Sequence, residues 1–444
     1  MFLPENVKTI IEQLETAGYE AYAVGGCVRD SLGEWWAAEL VPLDYDIATS
    51  AVPVEIREVF RDYRIVDIGE KHGTIAVIID DNKIEITSFR TDGDYSDSRH
   101  PDNVVFTRDL KSDLSRRDFT VNAMAYSEAT GLVDLFGGRQ DLDSNILRCV
   151  GDPEKRFSED ALRIMRALRF MSERGFILEE NTEQALRELK DNLLKIAPER
   201  IAMEFDRLLL GEHAEKVITE YYDVLGVIFP DLISCAGFDQ HNKHHIYDVL
   251  THIAKAISAA PKDIVIRLAL FFHDIAKPKC FELKDGIGHA PGHPVKSAEI
   301  AEKTMRRLRY NKATIYKVVL LVENHREKLR DDVITVKSLL NKYGPKTLIQ
   351  LCELKIADDN AKAGFVKLEL HKHRLVIEKA REVIKSGECY TLGGLAVNGN
   401  DLIELGYSGR DIGKRLKSLL DTVITGRAEN RREVLLEIAE KGLK

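Results

Sequence analysis

Gly25-Gly26-Cys27-Val28-Arg29-Asp30, followed by Asp44-Tyr45-Asp46-Ile47, is the stretch on which the reading of this chain turns. The apolar run Ala21–Val24 before it predicts a short buried strand, and Val28–Leu32 the helix that follows. Gly25 and Gly26 let backbone N–H groups come close to phosphates at the start of that helix. In the second segment a period of two places Asp44 and Asp46 on one face of a strand. Two hard oxygen ligands side by side suit Mg²⁺, which can bridge a triphosphate and an attacking hydroxyl. Each half alone is a weak signal, since GG turns and Asp-x-Asp pairs are common in solvated loops.

Working outward, Thr74–Ile79 and Lys83–Phe89 are rich in β-branched residues and read as strands, joined by Asp80-Asp81-Asn82 as a hairpin turn. Glu85 on the second strand is a natural neighbour for the aspartate strand. There it supplies a third carboxylate or is merely an edge charge. Val7–Leu14 and Val54–Phe60 read as amphipathic helices. Arg29, with a planar fork of donors, suits triphosphate oxygens. Past Gly151 strand signals vanish. One helix is expected over Glu159–Arg174 and another over Glu183–Leu193. Pro198-Glu199-Arg200 opens a third, with proline tolerated in its first turn.

On the first of these helices Asp160 and Arg163 stand three apart and are therefore neighbours. Such a pair can read a base without a nucleic-acid template. Cytosine and adenine both offer an amino donor beside a ring-nitrogen acceptor, whereas uracil and guanine offer a carbonyl and N–H. Asp160 accepting and Arg163 donating would admit C and A and reject U and G. The plainer alternative is an ion pair on a solvated helix.

At 444 residues the chain has room for two to four domains with substantial cores. It has no apolar run of about 18 residues, so no transmembrane helix is expected. The N-terminus lacks the basic and apolar regions of a secretory signal. Six scattered cysteines without a CxxC argue against a zinc ribbon or a disulfide framework, and a reducing cytoplasm is the simplest compartment. The net charge of −9 sits awkwardly with binding a polyanion. Basic residues nevertheless cluster at Arg163–Arg169, Arg306–Arg309, His371–Arg374 and Arg427–Arg432.

With Arg116-Arg117-Asp118-Phe119-Thr120-Val121-Asn122-Ala123 added, the motifs together resemble the class II nucleotidyltransferases, the family of bacterial tRNA CCA-adding enzymes and poly(A) polymerases. The likeness runs from about Ala21 to about Phe205, with weaker echoes beyond. It implies that Gly25, Gly26 and Arg29 contact the nucleotide, and that Asp44 and Asp46 hold Mg²⁺ with Glu85 beside them. By the same likeness Arg117, Asp118 and Asn122 meet sugar and phosphates; a salt-bridged cap is the bland alternative for Asp118. Glu159-Asp160-Ala161-Leu162-Arg163 resembles the family's amino-acid template, and Arg166 and Arg169 become further nucleotide contacts. The polar stretch between Arg90 and Thr107 looks like the loop of enzymes that complete CCA. Two departures stand out: Arg99-His100-Pro101 where Arg-Arg-Pro is expected, and a long Asp30–Asp44 segment containing Trp35-Trp36.

An all-α block over about 240–375 carries most of the histidines. The order His252, His273-Asp274, His293, His325, Asp358 resembles an HD phosphohydrolase domain, whose imidazoles and carboxylates enclose one or two divalent metals. Lys277 is placed to stabilise a phosphate.

The resemblance thus implies an α+β chain: a polymerase-β-like head (1–150), a helical neck and body (151–238), an HD domain (239–375) and an RNA-binding tail (376–444). The implied activity is CCA addition to tRNA from CTP and ATP with Mg²⁺, in the cytoplasm, with a second divalent metal at the HD site. Alternatives are a poly(A) polymerase, an A-only enzyme, a hydrolase working mainly through its HD block, and a nonenzymatic RNA-binding protein.

Overall fold

Alternating β-branched segments and one tight turn build the N-terminal part of the chain. A computed structural model describes residues 3–32, 45–69, 73–93, 104–364 and 370–442. Asp44, Trp35-Trp36 and Arg99-His100-Pro101 therefore lie outside the described residues. Internal packing divides the chain into two units, Met1–His213 with Asp223–Ile228, and Ala214–Tyr222 with Phe229–Lys444.

The first unit is mixed α and β. Its strands are β1 (Ala21–Val24), β2 (Asp46–Thr49), β3 (Arg64–Gly69), β4 (Thr74–Ile79), β5 (Asn82–Ser88), β6 (Arg90–Asp92), β7 (Val104–Phe106), β8 (Met124–Ser127), β9 (Gly131–Asp134), and a short parallel pair, β10 (Ile146–Leu147) with β11 (Ile177–Leu178), the latter past Gly151 where no strand was expected. Seven of them form one sheet in the order β3-β4-β5-β2-β1-β8-β9, while β6 and β7 pair apart. Every neighbour in the large sheet is antiparallel except β2 and β5, which run parallel. The β4–β5 hairpin closes through Asp80 and Asp81, with φ of 49° and 59°. Two consecutive left-handed residues match the twist of the strands they join, so the short turn fixes the register. On the other side of β5, the parallel pairing with β2 sets Glu85 opposite Asp46. Ile47, Ile75, Val77 and Ile86 are fully buried and form the apolar face. The helix Glu5–Thr16 contributes Val7, Ile10, Ile11 and Leu14, the spacing of one helical face.

The expected helix over Glu159–Arg174 is two helices. Pro153–Glu159 ends at Asp160, whose backbone is extended (φ −139°, ψ 100°), and Leu162–Arg174 begins after it. The cause is local: the Asp160 carboxylate accepts from the Leu162 N–H at 3.0 Å, a bond that competes with continuing the helix. The helix expected over Glu183–Leu193 is likewise Glu180–Glu188 followed by a 3₁₀ segment, Lys190–Lys195. Pro198–Leu210 is a helix with proline at its first position, packed on Leu162–Arg174.

The second unit is helical, and polar caps mark where its helices begin. Asp248, Asp263, Asn311 and Asp332 each accept backbone N–H groups at the starts of Val249–Ala259, Ile264–Phe272, Lys312–Asn324 and Val333–Tyr343. The block is not wholly α. Glu282–Lys284 and Ile287–His289 form a two-stranded hairpin around Asp285-Gly286, both at positive φ. That Asp-Gly pair was a legible turn signal. At the C-terminus Gly399–Glu404, Arg410–Ile424 and Arg432–Lys441 enclose a core of Leu402, Leu419, Leu420, Leu435 and Ala439.

Candidate functional site

Two clusters of chemistry-bearing side chains stand out, one in each unit. In the first unit, β1 runs straight into Gly25, at φ 76°, and the helix starts at Gly26. A Cβ on Gly25 would sit 3.2 Å from Arg117 Nη1, the movable end of a side chain, so it is the positive φ that calls for glycine here. The parallel pairing of β2 and β5 sets Asp46 and Glu85 directly in register, on the face opposite buried Ile47 and Ile86. Lys83 Nζ donates to Glu85 at 2.9 Å. The predicted adjacency of these two carboxylates is thus present, and Asp44 lies outside the described residues.

Behind them runs a polar chain. Arg29 is 5% exposed; its Nε donates to Asp30 at 2.8 Å and its Nη1 to Asn122 Oδ1 at 2.5 Å. Asn122 donates to Asp118 Oδ1 at 3.0 Å, and Arg166 donates twice to Asp118 Oδ2, at 2.8 and 2.5 Å. Arg174 closes the chain on Asp30 at 3.1 Å. Burial alone would raise the Asp118 carboxyl. The Arg166 charge and the Asn122 and Arg166 hydrogen bonds outweigh it and hold Asp118 well below the usual carboxylate range. Arg169 is pushed down to about 10, first by burial and then by neighbouring Arg166 and Arg207, against the pull of Glu204. Its guanidinium lies over the Phe170 ring at 4.2 Å.

Asp160 and Arg163 are not partnered with each other through their side chains, contrary to the expected pairing. Asp160 Oδ2 accepts from Arg200 Nη2 at 3.0 Å. Arg163 donates to Glu159 at 2.9 Å, and to the backbone oxygens of Arg156 and Arg116 at 3.0 Å each. Both nevertheless line the same cleft of about 720 Å³, together with Gly25, Gly26, Arg29, Asp46, Arg117, Asp118, Asn122, Arg166 and Arg169. Nine arginines and four aspartates line that cleft. A chain of net charge −9 therefore concentrates positive charge where an anion of several phosphates would fit. Arg116, Arg174, Arg200, Arg207 and Phe170 also line it and were not singled out from the sequence. Arg174 was findable as the end of the run that holds Arg163, Arg166 and Arg169. Arg200, 40 residues from Asp160, carries no local signal.

In the second unit all six predicted HD residues come together. His252 lies in Val249–Ala259, His273 and His325 end the helices Ile264–Phe272 and Lys312–Asn324, His293 opens His293–Arg307, and Asp358 lies in Pro345–Asn360. His252 and His273 Nε2 are 3.2 Å from Asp274 Oδ2, and His293 Nε2 is 3.2 Å from Oδ1. Asp358 is 3.0 Å from His252. Two three-residue groups result, His252/His273/Asp274 and Asp274/His293/His325, which share one carboxylate. Each imidazole turns Nδ1 to a backbone carbonyl: Ala361 at 3.2 Å, and Leu270, Ala290 and Val322 at 2.7 Å each. A carbonyl only accepts, so Nδ1 carries the proton, and a neutral ring then presents its Nε2 lone pair inward. Lys277 donates to Asp274 at 2.6 Å and Lys362 to Asp358 at 2.7 Å. Burial would raise both carboxyls, but His273 and Lys277 at Asp274, and Lys362 with His252 at Asp358, hold them well below their ordinary values.

Comparison with known proteins follows this geometry. Residues 21–148 match the family model "Poly A polymerase head domain", 175–235 "Probable RNA and SrmB- binding site of polymerase A", and 295–439 tRNA nucleotidyltransferase domain 2. The chain is 34% identical to the CCA-adding enzyme of Limosilactobacillus fermentum over 99% of its own length and 97% of that enzyme. A match at 51% identity to the CCA-adding enzyme of Lactiplantibacillus plantarum spans about half of each, 46% of this chain and 49% of the relative. The crystal structure of the Bacillus stearothermophilus CCA-adding enzyme in complex with CTP superposes with a TM-score of 0.72 at 29% identity, covering 100% of this chain and 98% of that one.

Proposed function

The chain belongs to the CCA-adding enzyme family, and on that premise we propose that it extends tRNA 3′ ends from CTP and ATP without a nucleic-acid template, releasing pyrophosphate. The observation that carries this reading is the cleft in which Asp46, the Asp118 network and nine arginines converge. Arg29, Arg117, Arg166 and Arg169 meet the triphosphate. Asp118, held ionised, accepts from the ribose hydroxyls, and Asp160 and Arg163 read the base edge.

Asp44, Asp46 and Glu85 are the residues to hold Mg²⁺; the in-register Asp46 and Glu85 supply the hard oxygen donors it favours. Bound there, the ion neutralises triphosphate charge and lowers the pKa of an attacking hydroxyl. Phosphoryl transfer then asks of the protein chiefly positioning and charge stabilisation. Residues 376–444 bind tRNA.

Within the second unit, the paired three-residue groups around Asp274 support a second activity, a divalent-metal phosphohydrolase of the HD type. Lys277, Lys362 and Arg326 line the adjoining pocket and would hold a phosphate.

The decisive experiment sequences the 3′ ends of a tRNA transcript lacking CCA after incubation with the protein, Mg²⁺, CTP and ATP. Uniform CCA ends are expected. A-tracts would instead indicate a poly(A) polymerase, addition only to a CC end an A-adding enzyme. Unextended ends would leave the HD hydrolase as the main activity. Phosphatase activity that disappears in Asp274→Ala while CCA addition persists would support the second site.

A further inference from the structure

The base-reading carboxylate is held by a residue that no motif contains. Asp160 sits at the break between two helices, with an extended backbone. One of its oxygens is used on the Leu162 N–H and the other accepts from Arg200 Nη2 at 3.0 Å. Arg200 is the third residue of Pro198–Leu210, the helix packed against Leu162–Arg174, so its backbone is fixed relative to the template segment. The second amino group of its fork, Nη1, is buried without a hydrogen-bond partner, and the residue lines the cleft.

Resting on the reading of Asp160 and Arg163 as the base-selecting pair, we propose that Arg200 is a positioning residue for nucleotide specificity: it fixes the orientation of Asp160. A carboxylate has about four acceptor directions. With Leu162 and Arg200 occupying one on each oxygen, those left are set in direction, and an amino group of C or A meets them while a uracil carbonyl meets repulsion. Arg163 is held separately, by Glu159 and by the Arg116 and Arg156 carbonyls. Two independently anchored groups give a fixed donor–acceptor pattern, whereas a mutually paired Asp160 and Arg163 would satisfy each other.

The test measures single-turnover incorporation of CTP, ATP, UTP and GTP by the full chain carrying Arg200→Ala, Arg200→Lys, Asp160→Asn or Asp160→Asn with Arg200→Ala. Loss of one charge-assisted hydrogen bond to Asp160 predicts about a tenfold fall in discrimination against UTP, with KM for CTP and ATP little changed. Arg200→Lys, which keeps charge and loses the fork, should restore part of it. Arg200→Ala should add nothing on the Asp160→Asn background. An equal rise in KM for all four nucleotides with discrimination intact would overturn the proposal and make Arg200 a phosphate contact. Discrimination lost in Asp160→Asn but kept in Arg200→Ala would sink the Arg200 assignment alone. Discrimination kept in Asp160→Asn would sink the base-reading assignment beneath it. Should Arg200→Ala fail to fold, Arg200→Lys carries the same comparison, with discrimination equal to the parent refuting the proposal.

Discussion

Asp118→Ala is the perturbation that most directly probes how the nucleotide cleft is held together. The residue is 8% exposed and accepts from two nitrogens of Arg166, from Asn122 and from the Phe119 N–H at 2.9 Å. Removing one partner of a buried ion pair costs about 3–5 kcal/mol. The Arg166 side chain is 34% exposed and can turn partly to water, which brings the expectation to the lower end, about 3 kcal/mol. The coupling to Arg166 should be about 2 kcal/mol of that, in the range of a charge-assisted hydrogen bond. Native-state hydrogen exchange at Phe119 reads this locally, because its amide loses its acceptor. The expectation is exchange faster by roughly a hundredfold in Asp118→Ala. In a cycle with Arg166→Met, the two changes together should cost about 2 kcal/mol less than their sum. A coupling below about 0.5 kcal/mol, the scale of an exposed pair, would refute the claim that this is a buried, structural charge pair.

Other outcomes follow from the same geometry. Asp113 and Asp118 are both held below the ordinary aspartate value. For Asp113 burial opposes the shift and the Arg116 and Arg117 charges outweigh it. Their stabilising contribution is therefore fully present above about pH 4 and is lost as pH falls toward the folded-state values, so acid unfolding of the parent should be steeper below about pH 4 than that of Asp118→Asn. Burial pushes the thiols of Cys27, Cys149, Cys235 and Cys352 up to about 12, while Cys280 is half-buried. Iodoacetamide at pH 8 should label Cys280 of the native protein first, as peptide mass spectrometry would reveal; prior labelling of Cys27 would contradict the packing. A Cβ on Gly138 would lie 2.2 Å from the Thr120 carbonyl oxygen. Gly138→Ala should displace the turn that carries Asn122 and destabilise by about 1–3 kcal/mol, with a matching loss of nucleotide affinity.

Much of this molecule is legible in its sequence where one local period decides the outcome. Asp46 and Glu85 could be placed side by side because strand alternation and an Asp-Asp turn together fix which residues face which side. The six residues expected of an HD-type site could be gathered by their order along the chain, although the helices that bring them together are separated by up to about a hundred positions. What local sequence does not encode depends on competition or distance. Asp160 lies in a stretch of good helix formers, and periodicity extends a helix straight through it. Its own side chain wins by capping Leu162. The Arg200 contact needs the packing of two helices to exist at all. The turn signal of Asp285-Gly286 is legible, but the strands it joins are three residues each, too short for alternation to show.

The charge distribution around the cleft has a kinetic meaning. The chain carries a net charge of −9, yet nine arginines gather in one cleft, so a polyanion meets a favourable potential there. Approach of an anion to the cleft is thereby favoured. Added salt shortens the reach of that field to about 8 Å at physiological ionic strength. Raising it should thus slow the capture of a polyanion at the cleft, a dependence that belongs to the rate of encounter rather than to the contacts made afterwards.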